Sequence, residues 1–263
     1  MAKKILVTGG AGYLGSALVR HAAAGGWEVR ATRFEREPVD APAEWVRLDV
    51  RDETAVRRAA AGVDCVVHTA YRHTGPDVWS TNVDGAEAVA RASGEARLIH
   101  LSSDLVFDGT RGRYREDDAP RPVNDYGRTK AEGERRVAAA RSDAVIVRTS
   151  LLYGGAEPGP QEQLVGGGHT DFFVDEIRSP VHVGDLAEAL LELAERDDAG
   201  PLHLGGADDV SRYDFALLLG ADPGAIRAAR TTPERAPNVS LDSSRARSLL
   251  RTRLRGVREV LGR

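Results

Sequence analysis

The stretch "NDYGRTKAE", Asn124 to Glu132, sets Tyr126 four residues before Lys130. On a helix that spacing puts both side chains on one face. A free phenol, with a pKa near ~10, is a weak acid at neutral pH. A neighbouring ammonium favours the phenolate and brings the group into useful acid/base range. Such a tyrosine can give a proton to a carbonyl oxygen while hydride arrives at the carbon, and a serine hydroxyl polarising the same carbonyl completes the set. "HLSSDLVFDG" supplies Ser103, with Ser102 in reserve. The alternative for the pair is a solvated helix face. Of the 36 Lys plus Arg, only residues 3, 4 and 130 are Lys, which leaves 33 Arg. If charge alone mattered at 130, Arg would be the expected residue; Lys is instead a compact point charge with three rotatable donors.

A second group lies near the start. In "VTGGAGYLGSALV", Thr8 precedes Gly9, Gly12 and Gly15, spaced G-x-x-G-x-x-G. Such glycines permit a tight turn and let backbone N–H groups approach a pyrophosphate at a helix N-terminus. The alternative is a Gly-rich turn without a ligand. An NAD site usually carries Asp or Glu at the end of the second strand for the ribose 2′-OH. Here that end reads "RATRF", with no carboxylate before Glu35. Arg33 matches a 2′-phosphate instead, so NADP(H) is favoured and NAD(H) is the alternative. Asp49 and Val50, at the end of the third strand, are placed to meet the adenine.

These groups need strand ends and helix starts to hold them. Continuous apolar runs, which suit strands buried on both faces, read "KILVTG" from Lys4, "EVRATR" from Glu28, "WVRLDV" from Trp45, "DCVVHTA" from Asp64, "RLIHLSS" from Arg97 and "AVIVRTS" from Ala144. Helical patterns near 13–25, 52–61, 80–93 and 124–141 fall between them. The alternation predicts an α/β fold, a Rossmann-type doubly wound parallel sheet with helices on both faces. Ligands of such sheets sit at the carboxyl ends of the strands. "GGAEPGPQEQLVGGGH", Gly154 to His169, reads as a loop that is mobile without substrate. "SPVHVGDLAEALLELAERD" predicts a helix with Asp185 near its start, and "GPLHLGG" a last sheet strand. The remainder predicts short helices with Pro breaks, ending in a basic amphipathic terminal helix docked on the fold; a membrane or acidic partner is the alternative. The expected organisation is a dinucleotide-binding domain of residues 1–153 completed by 180–204, and a small, mostly helical substrate lobe of 154–179 and 205–263.

Composition narrows the classes. A net charge of −4 disfavours nucleic acid as a partner, and 41% hydrophobic with 29% charged residues fits a globular chain. No apolar run approaches the ~20 residues of a membrane span, and no leader pattern is read before Gly9. Cys65 is the only cysteine, which excludes an internal disulfide, reads as a small buried hydrophobe and suits the cytoplasm. The seven His are scattered without metal-ligand spacing, so no metal is expected, and His68 and His100 read as sheet residues.

Together "TGGAGYLG", "HTAY", "NVDG", "LSSDLVFDG", "YGRTK" and "RTSLLYGG" resemble the extended short-chain dehydrogenase/reductases. Within that superfamily, "SSDLVFDGTRGRYREDDAPRPVNDYGRTKAEGE" and "DEIRSPVHVGDLA" resemble the dTDP-4-dehydrorhamnose reductases, which reduce the 4-keto group of a nucleotide-linked 6-deoxyhexose. The resemblance makes Tyr126 the proton donor, Lys130 its modulator and ribose ligand, and Ser103 the carbonyl-binding hydroxyl. It adds Tyr13, Leu14, Ala70 and Thr149 to the cofactor contacts, with Ser150 beside Thr149. Ser102, Asp104 and Arg178 join Ser103 on the substrate side, although Arg178 reads equally as a surface salt-bridge residue. Asn82 of "NVDG" belongs to the active-site network or caps a helix. The segment between Tyr153 and Asp171 is shorter than the family's usual insert. The expected partner is a nucleotide sugar, with a second copy of the chain, as a homodimer, the further expectation. Two other readings stand beside the reductase: a non-enzymatic NADP-binding regulatory subunit, since a relative partners methionine adenosyltransferase, and a nucleotide-sugar epimerase or dehydratase with tightly bound NAD. The 4,6-dehydratases want an Asp-Glu pair after the Ser/Thr; Leu105 follows Asp104 here.

Overall fold

The computed structural model describes residues 2–262; Met1 and Arg263, which close the expected domain ranges, lie outside the described residues. The chain runs β1 (Lys4–Thr8), α1 (Tyr13–Ala24), β2 (Glu28–Arg33), β3 (Glu44–Arg47), α2 (Glu53–Ala60), β4 (Cys65–His68), a π-helical turn (Ser80–Asp84), α3 (Gly85–Ala92), β5 (Arg97–Ser103), a 3₁₀ turn (Asp104–Val106), α4 (Asp125–Ala140) and β6 (Val145–Thr149). It continues with β7 (Leu152–Tyr153), α5 (Pro160–Gly166), β8 (Asp171–Phe173), β9 (Ile177–Arg178), β10 (Val181–His182), α6 (Val183–Ala194), β11 (Gly200–Leu204), β12 (Val210–Ser211), α7 (Arg212–Leu218), β13 (Arg227–Ala229), α8 (Ser244–Leu249) and α9 (Val257–Leu261). The central sheet has seven strands in the order β11-β6-β5-β4-β1-β2-β3. Parallel pairing joins β3, β2, β1, β4 and β5. This is the doubly wound α/β arrangement expected from the alternation of apolar runs and helical patterns.

The chain divides into two compact units. The first holds Met1–Ser102, Thr129–Val147 and Ala187–Pro201; the second holds Ser103–Arg128, Arg148–Leu186 and Leu202–Arg263. The segments that follow β5 and most of β6 go with the second unit. One crossing lies near the end of β5, and the others fall within α4, β6, α6 and β11, where no break in composition marks a linker.

In the first unit, Leu6, Val66 and Leu98 stand in register on β1, β4 and β5. They pack with Val56 of α2, Val89 of α3 and Val137 of α4 in one apolar core. Strand β3 stops at Arg47, short of the run expected to reach Val50. Asp49 turns the chain by accepting the Arg51 N–H and side chain, and Asp52 then caps α2 by accepting from Ala55 N. The helix expected at 80–93 begins as a π-turn, a local widening frequent at functional sites. Cys65 is buried and its thiol is pushed up to about 12 by burial, as suits a small core hydrophobe.

The second unit has three small two-stranded pairs, β7 with β10, β9 with β12 and β8 with β13. One core gathers Tyr153, Val210, Phe215 and Val257, and another Phe172, Ala216 and Ile226. Helix α5 corrects the expected loop at Gly154–His169. Pro160 begins it, Gly159 caps it, and Glu162 reaches back to accept from Gly154 N. The expected terminal helix is broken in two. Arg255 bonds the Asp185 carboxylate through both backbone N–H and guanidinium, which pulls residues 250–256 out of helical geometry. Among the described residues no helix is long and apolar enough to cross a membrane.

Candidate active site

Helix α4 starts where Asn124 accepts from Gly127 N at 2.8 Å, as a helix-capping Asn does. Gly127 is needed because a methyl group there would collide with the Leu105 carbonyl. This absence of a side chain lets the Ser103–Leu105 turn pack against the first turn of α4, beside the half-buried Tyr126. Ser103 Oγ accepts from Leu105 N and donates to Asp104 Oδ1, both at 3.1 Å. Asp104 Oδ2 accepts from Ser150 Oγ at 2.6 Å, and Ser150 Oγ accepts from Ser179 N at 3.2 Å. Burial raises the Asp104 carboxyl, with the Arg178 charge and these hydrogen bonds opposing. Thr149 is turned to the sheet, its hydroxyl donating to Leu204 O at 2.8 Å.

Arg178 is buried, so its reading as a surface salt-bridge residue falls. Its guanidinium donates to the carbonyls of Ile177, Pro237 and Ala236 and lies 3.5 Å from Glu176. Those donors tie β9 to the segment before Asn238, which accounts for the burial without a ligand.

In the first unit Lys130 is buried, and Nζ donates to Leu101 O at 2.6 Å. Burial pushes its pKa down to about 8, with the Glu134 charge opposing. Nζ lies 6.0 Å from the centre of the Tyr71 ring. Asn82 is no helix cap. From the π-turn it donates to Arg72 O at 2.8 Å and to Thr129 Oγ1 at 3.0 Å, and accepts from Arg72 N at 2.8 Å. It thus clamps the chain after β4 to the turn of α4 that carries Lys130.

The β1–α1 turn has the expected form. Gly9 has φ +70°, and a side chain there would strike the Ala70 backbone. Helix α1 starts at Gly12 without a side-chain cap. Thr8, expected as a cofactor contact, is fully buried and its Oγ1 lies 2.6 Å from His68 Nδ1, so that hydroxyl serves the sheet. Thr32 was missed: it holds the turn from β2, taking Gly9 N on Oγ1 at 3.1 Å and Gly10 N on its carbonyl at 2.9 Å. Its signal in the sequence was a small hydroxyl at the strand end opposite the glycines. Arg33 is half-buried, with Nη1 3.5 Å from Glu37, on a strand end that lacks a carboxylate. Asp49 pairs with Arg51 at 2.6 Å, and that hydrogen bonding lowers its pKa. Among the described residues no cluster of three His, Cys, Asp or Glu is placed to hold a metal ion.

The groups fall to the two units as the chain crosses between them. Ser103 follows Ser102 directly across one crossing, and Tyr126 stands one helical turn before Lys130 across another, within α4.

Residues 3–259 match the RmlD substrate binding domain family. The chain belongs to that family. A dTDP-4-dehydrorhamnose reductase of Mycolicibacterium smegmatis is 36% identical, over 99% of this chain and 84% of that protein. The methionine adenosyltransferase 2 subunit beta of Bos taurus is 30% identical, over 94% of this chain and 82% of that protein. Among solved structures, a hypothetical dTDP-4-dehydrorhamnose reductase from Sulfolobus tokodaii superposes with a TM-score of 0.83 at 28% identity, covering 96% of each chain. The resemblance read from the motifs is borne out.

Proposed function

We propose that this chain is an NADPH-dependent reductase of a keto group on a nucleotide-activated 6-deoxysugar. One observation carries the reading: α4 presents Tyr126 half-buried and, a turn later, holds Lys130 fully buried with its pKa down to about 8. Burying an ammonium is costly, and a chain so rich in Arg keeps Lys there for its chemistry. Ser103, Asp104 and Ser150 supply a preset hydroxyl chain beside Tyr126. The relatives named as reductases support the substrate class.

The β1–α1 turn fits a dinucleotide. An uncapped helix N-terminus faces a turn that Gly9 alone permits, and Arg33 takes the place of the carboxylate that would repel a 2′-phosphate. Tyr13, Leu14 and Gly15 offer the N–H groups, and Ala70 and Val50 the apolar walls. The cofactor, when bound, supplies hydride. The protein's own part is to orient the carbonyl by the Ser103 hydroxyl, which turns its hydrogen from Asp104 to the substrate oxygen, and to deliver the Tyr126 proton to that oxygen. The Lys130 ammonium stabilises the phenolate that remains.

The test is NADPH oxidation with dTDP-4-dehydrorhamnose, and then with a panel of nucleotide-linked 4-keto sugars. The expected result is one NADPH consumed per product, each product two hydrogens heavier than its substrate. Tight NADPH binding with no turnover across the panel would favour the regulatory-subunit reading suggested by the methionine adenosyltransferase relative. Conversion without net NADPH loss, with NAD+ retained through purification, would favour an epimerase.

A further inference from the structure

Above the apolar row Leu6, Val66 and Leu98, the next row on the same face of the sheet is Thr8, His68 and His100, again in register across β1, β4 and β5. Ser102 follows on the same side of β5, two residues on. The row is buried: His68 is 2% exposed, His100 1% and Ser102 5%. Thr8 satisfies His68 Nδ1 at 2.6 Å. Among the described residues, His68 Nε2, both ring nitrogens of His100 and Ser102 Oγ have no hydrogen-bond partner. The two imidazoles stack with centroids 5.3 Å apart. Buried polar groups are almost always paired, with protein or with ordered water, so four unmatched atoms in one row need an explanation. The charge on this side is Lys130, whose helix carries Val137 against the apolar row and whose Nζ reaches the carbonyl of Leu101, between His100 and Ser102.

We propose that His100, stacked on His68, is a positioning residue for Lys130, acting through a buried water that accepts from the ammonium and donates to an imidazole nitrogen. The proposal rests on the functional role given above to Lys130. The geometry suits it: a polar row two residues nearer the strand ends than the core, at the level where Lys130 is held, with acceptors left over. The groups facing Lys130 are Glu134 on its own helix, His68 on β4, Tyr71 after β4, and His100 with the Leu101 carbonyl on β5. Burial and the Lys130 charge hold His68 down at about 3 and His100 well below the ordinary imidazole value, so both rings are neutral and serve as acceptors without repelling the ammonium. A buried water typically makes about three hydrogen bonds: one from the ammonium leaves two for the orphaned groups of this row.

The experiment is the pH dependence of kcat/KM for NADPH with dTDP-4-dehydrorhamnose, in the native protein, His100→Leu and His100→Gln. Leucine continues the apolar row beneath and cannot hold the water; glutamine restores an acceptor and a donor. In His100→Leu the basic limb should move about one unit toward lower pH, a roughly tenfold loss above it with little change near pH 6.5, because the ammonium has lost an acceptor. His100→Gln should return the limb toward its native place. A folded His100→Leu whose limb does not move overturns the proposal. So does a His100→Gln limb displaced to lower pH by as much as a unit, and that arm decides the matter if the leucine variant does not fold. Lys130→Met separates the layers: if it keeps full activity, the reading of Lys130 itself fails, whereas inactivity with an unmoved His100→Leu limb sinks only the water bridge.

Discussion

Lys130 and Arg178 are each 4% exposed, and the protein buries them by opposite means. Arg178, in the second unit, is surrounded. Its guanidinium meets three main-chain carbonyls, and the fully buried Glu176 beside it also pairs with Arg235. Lys130, in the first unit, is held by the Leu101 carbonyl in a setting whose dominant effect is desolvation. A paired guanidinium in a network is fixed in place and keeps its charge. A compact amine with depressed pKa can respond to its neighbours. The first arrangement builds structure; the second, under the function proposed above, gives up stability to retain a group that would modulate a phenol.

The comparison is broken most directly at the lysine. Lys130→Arg should cost ~10²–10⁴ in turnover, as should Tyr126→Phe, with both variants folded. A planar guanidinium cannot replace the slender amine between the Leu101 carbonyl and the next turn of the helix. Tyr126→Phe should still bind NADPH, and Lys130→Arg should bind it more weakly. Steady-state kinetics and cofactor titration of each variant check this; full activity in a folded Lys130→Arg would make the lysine a mere charge.

At the network the effect should fall on stability. Glu176→Ala strips the carboxylate from Arg178 and Arg235, and removing one partner of a buried pair typically costs ~3–5 kcal/mol. Because Arg235 is 44% exposed and can reach water, a loss of about 3 kcal/mol is expected, read as a lower denaturant midpoint. NADPH affinity at the first unit's turn should hold. A large fall in cofactor affinity at unchanged stability would reverse the contrast.

pH sharpens the difference. The Lys130 amine has its folded pKa near 8 against an ordinary 10.5. Between those values the unfolded chain binds a proton that the folded chain has released, so Lys130 makes stability rise with pH over that window. Turnover that depends on the ammonium falls over the same window. Activity and stability should therefore part company above pH 8, and Lys130→Met should remove that rising contribution to stability. Parallel denaturation and rate profiles test this; a Lys130 contribution to stability that falls from pH 8 upward would contradict the buried, desolvated amine.

Much of this was legible in the residues. Tyr126, Lys130 and Ser103 could be proposed from sequence because the chemistry they suggest depends on local spacing, and the expected sheet strands were legible because strands of a buried parallel sheet are mostly apolar runs. What escaped reading was set by distant contacts. Helix α5 depends on Glu162 reaching back to Gly154, and the split of the terminal segment on Arg255 meeting Asp185, 70 residues away. Thr8 was assigned to a ligand because it precedes a Gly-rich turn that reads as a cofactor site; its partner His68 becomes visible only when β1 and β4 are in register. For Arg178 the substrate-side and surface readings stood level because sequence does not reveal the carbonyls of 236 and 237.

A smaller effect is expected at Arg33. The strand end has no carboxylate, and the Arg33 guanidinium lies 3.5 Å from the exposed Glu37. A charge-assisted contact to a 2′-phosphate is worth ~1.5–3 kcal/mol. Arg33→Ala should narrow the preference for NADPH over NADH by roughly tenfold to a hundredfold. Equal affinity of the native protein for the two cofactors would remove the basis for assigning Arg33.

The least effect belongs to α5, and it bears on how the second unit differs within itself. The helix has no buried residue, only Val165 is packed against the Phe172 core, and Gly166, Gly167 and Gly168 follow Val165. Its seven residues are too few to be stable without tertiary support. Its amides should therefore exchange much faster than those of β5, although the Glu162 bond to Gly154 N should slow that one amide relative to its neighbours. Glu162→Ala should erase the local protection while leaving the Tyr153 core and the denaturation midpoint nearly unchanged. Saturating dTDP, the nucleotide common to the proposed substrates, should slow exchange across 154–169 if this segment closes on the ligand. Protection in α5 equal to that of β5 before any ligand is added would mean the segment is an integral part of the second unit, and closure would have to be sought elsewhere.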